Sequence, residues 1–273
     1  MSLQAKVEFL AQRADRPIYY ASSAGRNATH EIDQPMHMVE VEVNDARARA
    51  DSMLADEFGQ HPSGFNLLEF PTRVQNFLNR DEVEAVYEAE IEAFLKSVTG
   101  AYRVHIFDHT VRAADPDLRA QKQVREPAAL VHNDYTPHSG RICLQENLGR
   151  DADELAAGRF QIINVWRPLV NPVEDYPLAL CDARSLDPED LIDSERRAPN
   201  HIGEIQLAVH APEQRWFYYS QMRPPEVLLF KTYDSIDGGK QPCSIHSAIR
   251  LPQVAANARP RESVETRAFV FYR

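Results

Sequence analysis

The sequence predicts a mainly β protein with α-helical additions, its core a barrel or a double-sheet jelly roll. Three observations lead there. Strand-like runs recur through the second half of the chain, the clearest helical spacing is confined to one stretch before residue 100, and the strands are joined by long polar connections. Alternating βαβ units would show a different order. A barrel and a jelly roll both protect sheet edges and leave an open mouth for a small ligand.

Each element has its own signal. MHMVEVEVND (36–45) alternates as a strand does. The clearest helix follows: Asn79 with Glu82 reads as an N-cap and its capping-box partner. Val83, Val86, Tyr87, Ile91, Phe94, Leu95 and Val98 fall at helical spacing, and Gly100 stands at the C-cap position. Strands are expected over 102–112, 128–134, 160–170, 216–220, 227–235 and 263–273. The run WFYYS (216–220) reads as core strand rather than an aromatic cage. Short helices are expected at 139–149, at 151–157 and after Asp187-Pro188, where an N-cap precedes proline at the first helical position. The expectation is a single domain over 1–273, with residues 1–100 mostly helical and on the substrate side, and the β core over 101–273.

Composition narrows the function. The chain has 273 residues, 43% apolar and 26% charged. Its 30 basic and 41 acidic residues leave a net charge of −11, which argues against a nucleic-acid or anionic-membrane surface. Cys143, Cys181 and Cys243 are widely spaced, so a disulfide framework is not expected and a cytoplasmic setting fits. The first residues lack the apolar run of a signal peptide, and no stretch approaches the roughly 20 apolar residues of a membrane span. A small-molecule substrate is the expected partner; oligomeric state is open.

The chemistry begins in AALVHNDYTPHSG (128–140). In an extended segment residues i and i+2 share a face, so His132 and Asp134 aim an imidazole and a carboxylate into one space. A third ligand must come from elsewhere, and His246, at the start of an expected strand, is the best placed. Two histidines and one carboxylate on one face of a metal leave the remaining positions open, the facial-triad arrangement of non-haem Fe(II) oxygenases. Taken alone, His132 and Asp134 also read as a hydrogen-bonded turn.

A second constellation shifts the weighing. Arg261 and Ser263 are again two apart at a strand start, 15 and 17 residues beyond His246. A guanidinium with a neighbouring hydroxyl suits the far end of a dicarboxylate. HxD, a distal His and then RxS is the pattern of 2-oxoglutarate-dependent oxygenases. The segments VHNDYT (131–136), INVWRPL (163–169), TYDS (232–235) before His246, and PRESVETRAFVFY (260–272) carry a further likeness, joined by RVHIFDHTVR (103–112). Over roughly residues 65–273 the chain resembles the hydroxylase/desaturase family that includes the fungal AsaB-like proteins, gibberellin desaturases and the cephamycin-pathway protein CmcJ. The resemblance implies a double-stranded β-helix (jelly-roll, cupin-like) core. It also implies Fe(II), with 2-oxoglutarate and O2 as co-substrates, and hydroxylation or desaturation in specialised metabolism. Ser247 stands where the family often has threonine after the distal histidine.

Other residues have two readings each. His138, past the strand, reads as a surface or rim histidine rather than a fourth ligand. His105 and His109 share a strand face by count; a second metal pair is disfavoured over one core and one substrate-facing histidine. Asn164 or Arg167 reads as near the co-substrate, with Trp166 beside them, or all three as barrel packing. Tyr135 is a rim aromatic or a pocket donor. Arg250 and Arg267 rival Arg261, although Arg267 lies roughly 20 Å further along the same face. Two rivals use the same triad: a metal-dependent hydrolase, which has no need of RxS, and a non-catalytic cupin-like binding protein.

Overall fold

A computed structural model describes residues 2–48, 63–199, 201–240 and 243–273. Among the described residues, the helical character expected for residues 1–100 is limited to 80–99 and one 3-10 turn, Ala46–Ala48. The described residues before Arg80 form five strands: β1 (Ser2–Leu10), β2 (Ile18–Tyr20), β3 (Glu31–Ile32), β4 (Met36–Asp45) and β5 (Phe65–Glu69). The physical reason stands in β1 itself. Leu3, Ala5, Val7 and Phe9 alternate with polar neighbours, and Val7 and Phe9 are buried when β1 pairs antiparallel with β4. Residues 49–62, part of the segment assigned to the substrate side, lie outside the described residues.

The helix expected after Asn79 runs as α1 (Arg80–Glu82), a π-helical segment (Val83–Tyr87) and α2 (Glu88–Thr99). Asn79 caps the Glu82 N–H, and Gly100 closes the helix in the left-handed region at φ 71°. The Glu82 carboxylate accepts from the N–H groups of Gln75 and Asn76, so the capping box is not reciprocal. Then come β6 (Arg103–Ala113), α3 (Pro116–Lys122), β7 (His132–Asn133), α4 (Ser139–Leu148), α5 (Ala152–Ala156), β8 (Phe160–Pro168) and β9 (Leu178–Cys181). The chain continues with β10 (Leu191–Ala198), β11 (His201–Ala208), β12 (Trp216–Tyr218), β13 (Glu226–Asp234), β14 (His246–Ala248) and β15 (Glu262–Phe271). The strand expected over 128–134 shrinks to the two residues of β7. The helix after Asp187 is one 3-10 turn, Pro188–Asp190, capped by the Asp187 side chain.

The strands form two sheets. One is ten-stranded, ordered β1-β4-β12-β9-β14-β7-β11-β10-β2-β3; the other is five-stranded, ordered β5-β13-β8-β15-β6. From β6 onward the chain passes back and forth between them, so β6, β15, β8 and β13 face β7, β14, β9 and β12 as a double-stranded β-helix. Phe65, Trp166, Leu180, Phe217 and Phe230 fill part of the space between the sheets. Tyr87, Ile91 and Leu95 of the helix cover the outer face of the smaller sheet on Ile163, Val165, Ala268 and Val270. The helices α4 and α5 pack through Leu144, Ala152 and Leu155 on Phe160, Phe269 and Phe271.

Two bulges change which residues face inward. Opposite β15 the register of β6 passes from Asp108 to Ile106, leaving Phe107 without a partner. Opposite β8 the register of β13 jumps from Lys231 to Tyr233. A bulge inserts one residue and inverts the alternation beyond it.

Candidate active site

His132 and His246 meet as a directly opposed pair between β7 and β14, their ring centroids 4.3 Å apart. Asp134 follows β7, with Oδ1 3.5 Å from His132 Nε2. One ligand atom from each of the three lies within 4.8 Å of the other two, close enough to share a metal. In each histidine Nδ1 faces the backbone carbonyl two residues earlier: Leu130 at 2.8 Å from His132 and Ser244 at 3.4 Å from His246. A carbonyl only accepts, so Nδ1 carries the proton and the Nε2 lone pair is left for a metal. Burial, reinforced by His132, pushes the His246 imidazole down to about 3, so it is neutral at pH 7, as a ligand must be.

Asp134 is divided in the same way. Its Oδ2 accepts from Asn164 Nδ2 at 2.7 Å and from Arg267 Nε at 2.9 Å, which leaves Oδ1 on the side of the histidines. Burial alone would raise its pKa; the adjacent Arg267 guanidinium, with the two histidines, holds the carboxyl well below its usual range. Asn164 Oδ1 in turn accepts from Thr232 Oγ1 at 3.1 Å, on the bulge of β13. Arg267 also binds Asp108 at 2.5 Å and Glu265. The donor set is therefore two imidazole nitrogens and one carboxylate oxygen, which fits Fe(II) with positions left open.

Arg261 lies 2% exposed on the inner face of the same sheet. It donates to Ser263 Oγ at 3.2 Å and to the Tyr176 carbonyl at 2.7 Å, and its guanidinium covers the Trp166 ring at 5.0 Å. Among the described residues no carboxylate pairs with it. Burial, with repulsion from Arg112, lowers its pKa to about 9. The Trp166 indole N–H is buried there without a partner.

Several expected residues stand elsewhere. Arg167 does not approach the site: three residues from Asn164 means the opposite strand face, where it donates to Tyr87 Oη, Phe70 O and Pro224 O. Asn164 reaches Asp134 and not the neighbourhood of Arg261. The bulge at Phe107 separates His105 from His109, correcting the shared face expected from the residue count. His105 stacks on Phe269, whereas His109 turns outward to Thr266 Oγ1 (2.8 Å) and Glu88 (3.2 Å) and is not a pocket residue. Arg250 is exposed, and His138 lies at the surface 3.2 Å from Glu204. Tyr135 lines a cavity of about 1030 Å³ together with Asn133, Glu204 and Gln206, and none of the three ligands is in its lining. The grip of Arg267 and Asn164 on Asp134 was missed. Its signal was the odd-numbered inward face of β15, which Arg267 shares with Arg261.

A family model described as Oxidoreductase/YMDC permease-like domain matches residues 7–271. The Fe(II)/2-oxoglutarate-dependent dioxygenase nvfI of Aspergillus novofumigatus is 34% identical over 241 residues, 85% of this chain and 82% of its own length. The hydroxylase/desaturase efuI of Hormonema carpetanum is 35% identical over 256 residues, 85% and 83% of the two chains. The chain belongs to this family of Fe(II)/2-oxoglutarate-dependent oxygenases. The oxygenase also shares its fold with the solved structure of the iron and α-ketoglutarate-dependent endoperoxidase NvfI. The TM-score is 0.84 at 30% identity, covering 99% of this chain and 98% of that one. Fe(II), 2-oxoglutarate and O2 are thus the oxygenase's cofactor and co-substrates, and the hydrolase and the non-catalytic binding protein are set aside. None of its described helices is long and apolar enough to cross a membrane.

Proposed function

We propose that His132, Asp134 and His246 hold Fe(II), that Arg261 and Ser263 receive the far carboxylate of 2-oxoglutarate, and that the chain works as one oxygenase domain hydroxylating or desaturating a small organic substrate in specialised metabolism. The observation that carries this reading is Arg261: a guanidinium buried on the inner face, held by a hydroxyl and a carbonyl, with no carboxylate of its own among the described residues. A buried cation without a counter-charge is costly, and a dicarboxylate would supply the missing charge. Bound there, the iron supplies oxidation of a substrate C–H bond with O2 and 2-oxoglutarate.

The chain's own residues bind, orient and exclude water. Arg267 and Asn164 hold one oxygen of Asp134 and present the other. The Leu130 and Ser244 carbonyls fix both imidazoles. Trp166 walls the Arg261 side and offers its free N–H to an oxygen acceptor. Tyr135 and His105 are proposed for the substrate side; burial keeps the Tyr135 phenol protonated, so it would act as a donor or a wall. The three free cysteines support a reducing compartment, the cytoplasm.

The test is anaerobic titration of the iron–2-oxoglutarate charge-transfer band. Removing one partner of a buried charge pair costs about 3–5 kcal/mol. Arg261→Ala should therefore weaken 2-oxoglutarate binding by roughly 150-fold or more with iron still bound. Arg261→Lys should rescue it only in part, because an ammonium lacks the bidentate fork. An unchanged dissociation constant in Arg261→Ala would remove the arginine from the reading.

A further inference from the structure

Of the three proposed ligands, Asp134 is the one aimed by side chains of other strands. Each histidine has Nδ1 against a carbonyl two residues back, whereas Asp134 lies beyond the two-residue strand β7. Arg267 holds it through Nε at 2.9 Å, but the same guanidinium also serves Asp108 and Glu265. Asn164, the direct partner of Arg267 between β8 and β15, brings Nδ2 to 2.7 Å from the same oxygen. Two donors from neighbouring strands fix how the carboxylate is turned, and with it which oxygen faces the histidines.

The direction of the Asn164 amide has a cause of its own. With its oxygen towards Asp134, two acceptors would meet, so Nδ2 must take that side. Asn164 is fully buried, and its oxygen then needs a donor, because a buried acceptor left unpaired is costly. Thr232 supplies it. Its Oγ1 lies 3.1 Å from Asn164 Oδ1 and, more distantly, 3.3 Å from the Ile162 carbonyl. No other donor reaches the Asn164 oxygen among the described residues. The polarity therefore runs one way: the Thr232 hydroxyl donates to Asn164, Asn164 donates to Asp134, and the second Asp134 oxygen is left for a metal.

The backbone explains how Thr232 gets there. β13 pairs with β8 through Phe230–Asn164 and Lys231–Ile163, and then Tyr233, not Thr232, takes the rung opposite Ile162. Thr232 is the extra residue of the bulge, fully buried, with its hydroxyl turned to Asn164 on the next strand. Bulges recur beside active sites, where they re-aim a side chain. The branched threonine side chain is stiff at χ1, so a hydroxyl placed this way stays placed.

We propose that Thr232 is a positioning residue: acting through Asn164, its hydroxyl sets the orientation of the Asp134 carboxylate, and the β13 bulge is the device that brings it into reach. The relay is uncharged and bears on the metal, not on the co-substrate clamp. Asn164 pairs with Arg267, which at strand rise lies roughly 20 Å along the chain from Arg261. This rests on the proposed function, which makes Asp134 a ligand of the iron.

The experiment uses the full chain. Fe(II) affinity is measured by anaerobic competition with a chromogenic chelator, and the iron–2-oxoglutarate charge-transfer band is recorded on the same preparations. Asn164→Leu should weaken Fe(II) binding by about 10–100-fold, and Thr232→Val, one hydrogen bond further out, by about 3–10-fold. With a donor to the carboxylate loosened, more electron density stays on the metal, so the band of Thr232→Val should move to longer wavelength. Thr232→Ser keeps the hydroxyl and should restore the band position, with affinity within about twofold of the native chain. In the Asn164→Leu background, Thr232→Val should change affinity by no more than about twofold, because the group it acts through is gone. An equal loss in both backgrounds overturns the proposal and makes Thr232 a packing residue. So does a native affinity and band in Thr232→Val, or a loss that serine does not restore. If Thr232→Val does not fold, Thr232→Ala takes its place in each comparison. A native chain that binds no Fe(II) removes the proposed function and this proposal with it, and the native measurement alone tells that failure from the others.

Discussion

At the scale of single residues, Asp134 decides how the site is built, because its two oxygens have different tasks. Arg267→Met would leave Oδ2 with Asn164 alone and let the carboxylate rotate. Partners behind a metal ligand are typically worth 10–100-fold in metal affinity, so the Fe(II) dissociation constant should rise by about that factor. Competition against a chromogenic chelator measures it. Asp134→Ala should lose the metal outright, whereas His138→Ala should keep one iron per chain, because His138 faces Glu204 at the surface. Iron content by elemental analysis separates the two, and loss of iron in the His138 variant would show that the ligand set is wrong. The ligands were legible from spacing: HxD shares a face in any extended segment. The part played by Arg267 was not. It depends on which strands lie beside β15 and in what register, and a single sequence does not contain that pairing.

At the scale of elements, the two bulges explain most of what residue counting missed. Counting by twos put His105 and His109 together; the extra residue at Phe107 parts them. His109 then joins β6 to α2 through Glu88. His109→Ala should lower stability by about 1–2 kcal/mol for the lost hydrogen bonds and leave the 2-oxoglutarate dissociation constant unchanged. Equilibrium urea unfolding and the charge-transfer titration check both halves. At the end of β13, Asp234 is buried among Arg159 (2.7 Å), Lys231 (3.1 Å) and Gln161 (2.7 Å). Burial opposes its ionisation, yet Arg159 and Lys231 hold the carboxyl below its usual range. A carboxyl depressed in the folded state stabilises fully above the unfolded value of about 3.9, and that stability is lost as pH falls through the lower folded value. Asp234→Asn should therefore cost about 3 kcal/mol at pH 7, and the gap to the native chain should begin to narrow as pH falls below about 4. A gap that stays constant from pH 7 down to pH 2 would show that packing, not charge, is at stake. The helix at 80–99 and strands such as 36–45 and 160–168 were legible because their periods are long and clean. The alternation in SLQAKVEFL was just as clean and went unread, whereas β7, two residues long, exists only through its neighbours.

At the scale of the whole molecule, β1 and β4 do more than lengthen a sheet. Ala5, Val7, Phe9, Val41 and Val43 form one core with Val131, Ala179, Cys181 and Ile245, the residues next to the metal-site strands on their other face. Phe9, fully buried, meets Trp216 edge-on at 5.9 Å. Phe9→Ala should cost about 3–5 kcal/mol, and differential scanning calorimetry should show the site melting together with the N-terminal strands. Two separate transitions would make the first 48 residues an appendage. The arrangement was hard to read from sequence because it joins residues more than a hundred positions apart.

The two histidines are steadied by carbonyls of their own chain, each two residues back, and a carbonyl survives any exchange of side chain. The aim of both rings is thus written into tripeptides, Leu130–His132 and Ser244–His246, that need nothing from the pocket walls. Mutation is free to reshape those walls without misdirecting the ligands. That separates what a lineage can vary from what it must keep, and gives a reason why one scaffold can carry relatives named for hydroxylation, desaturation and endoperoxide formation.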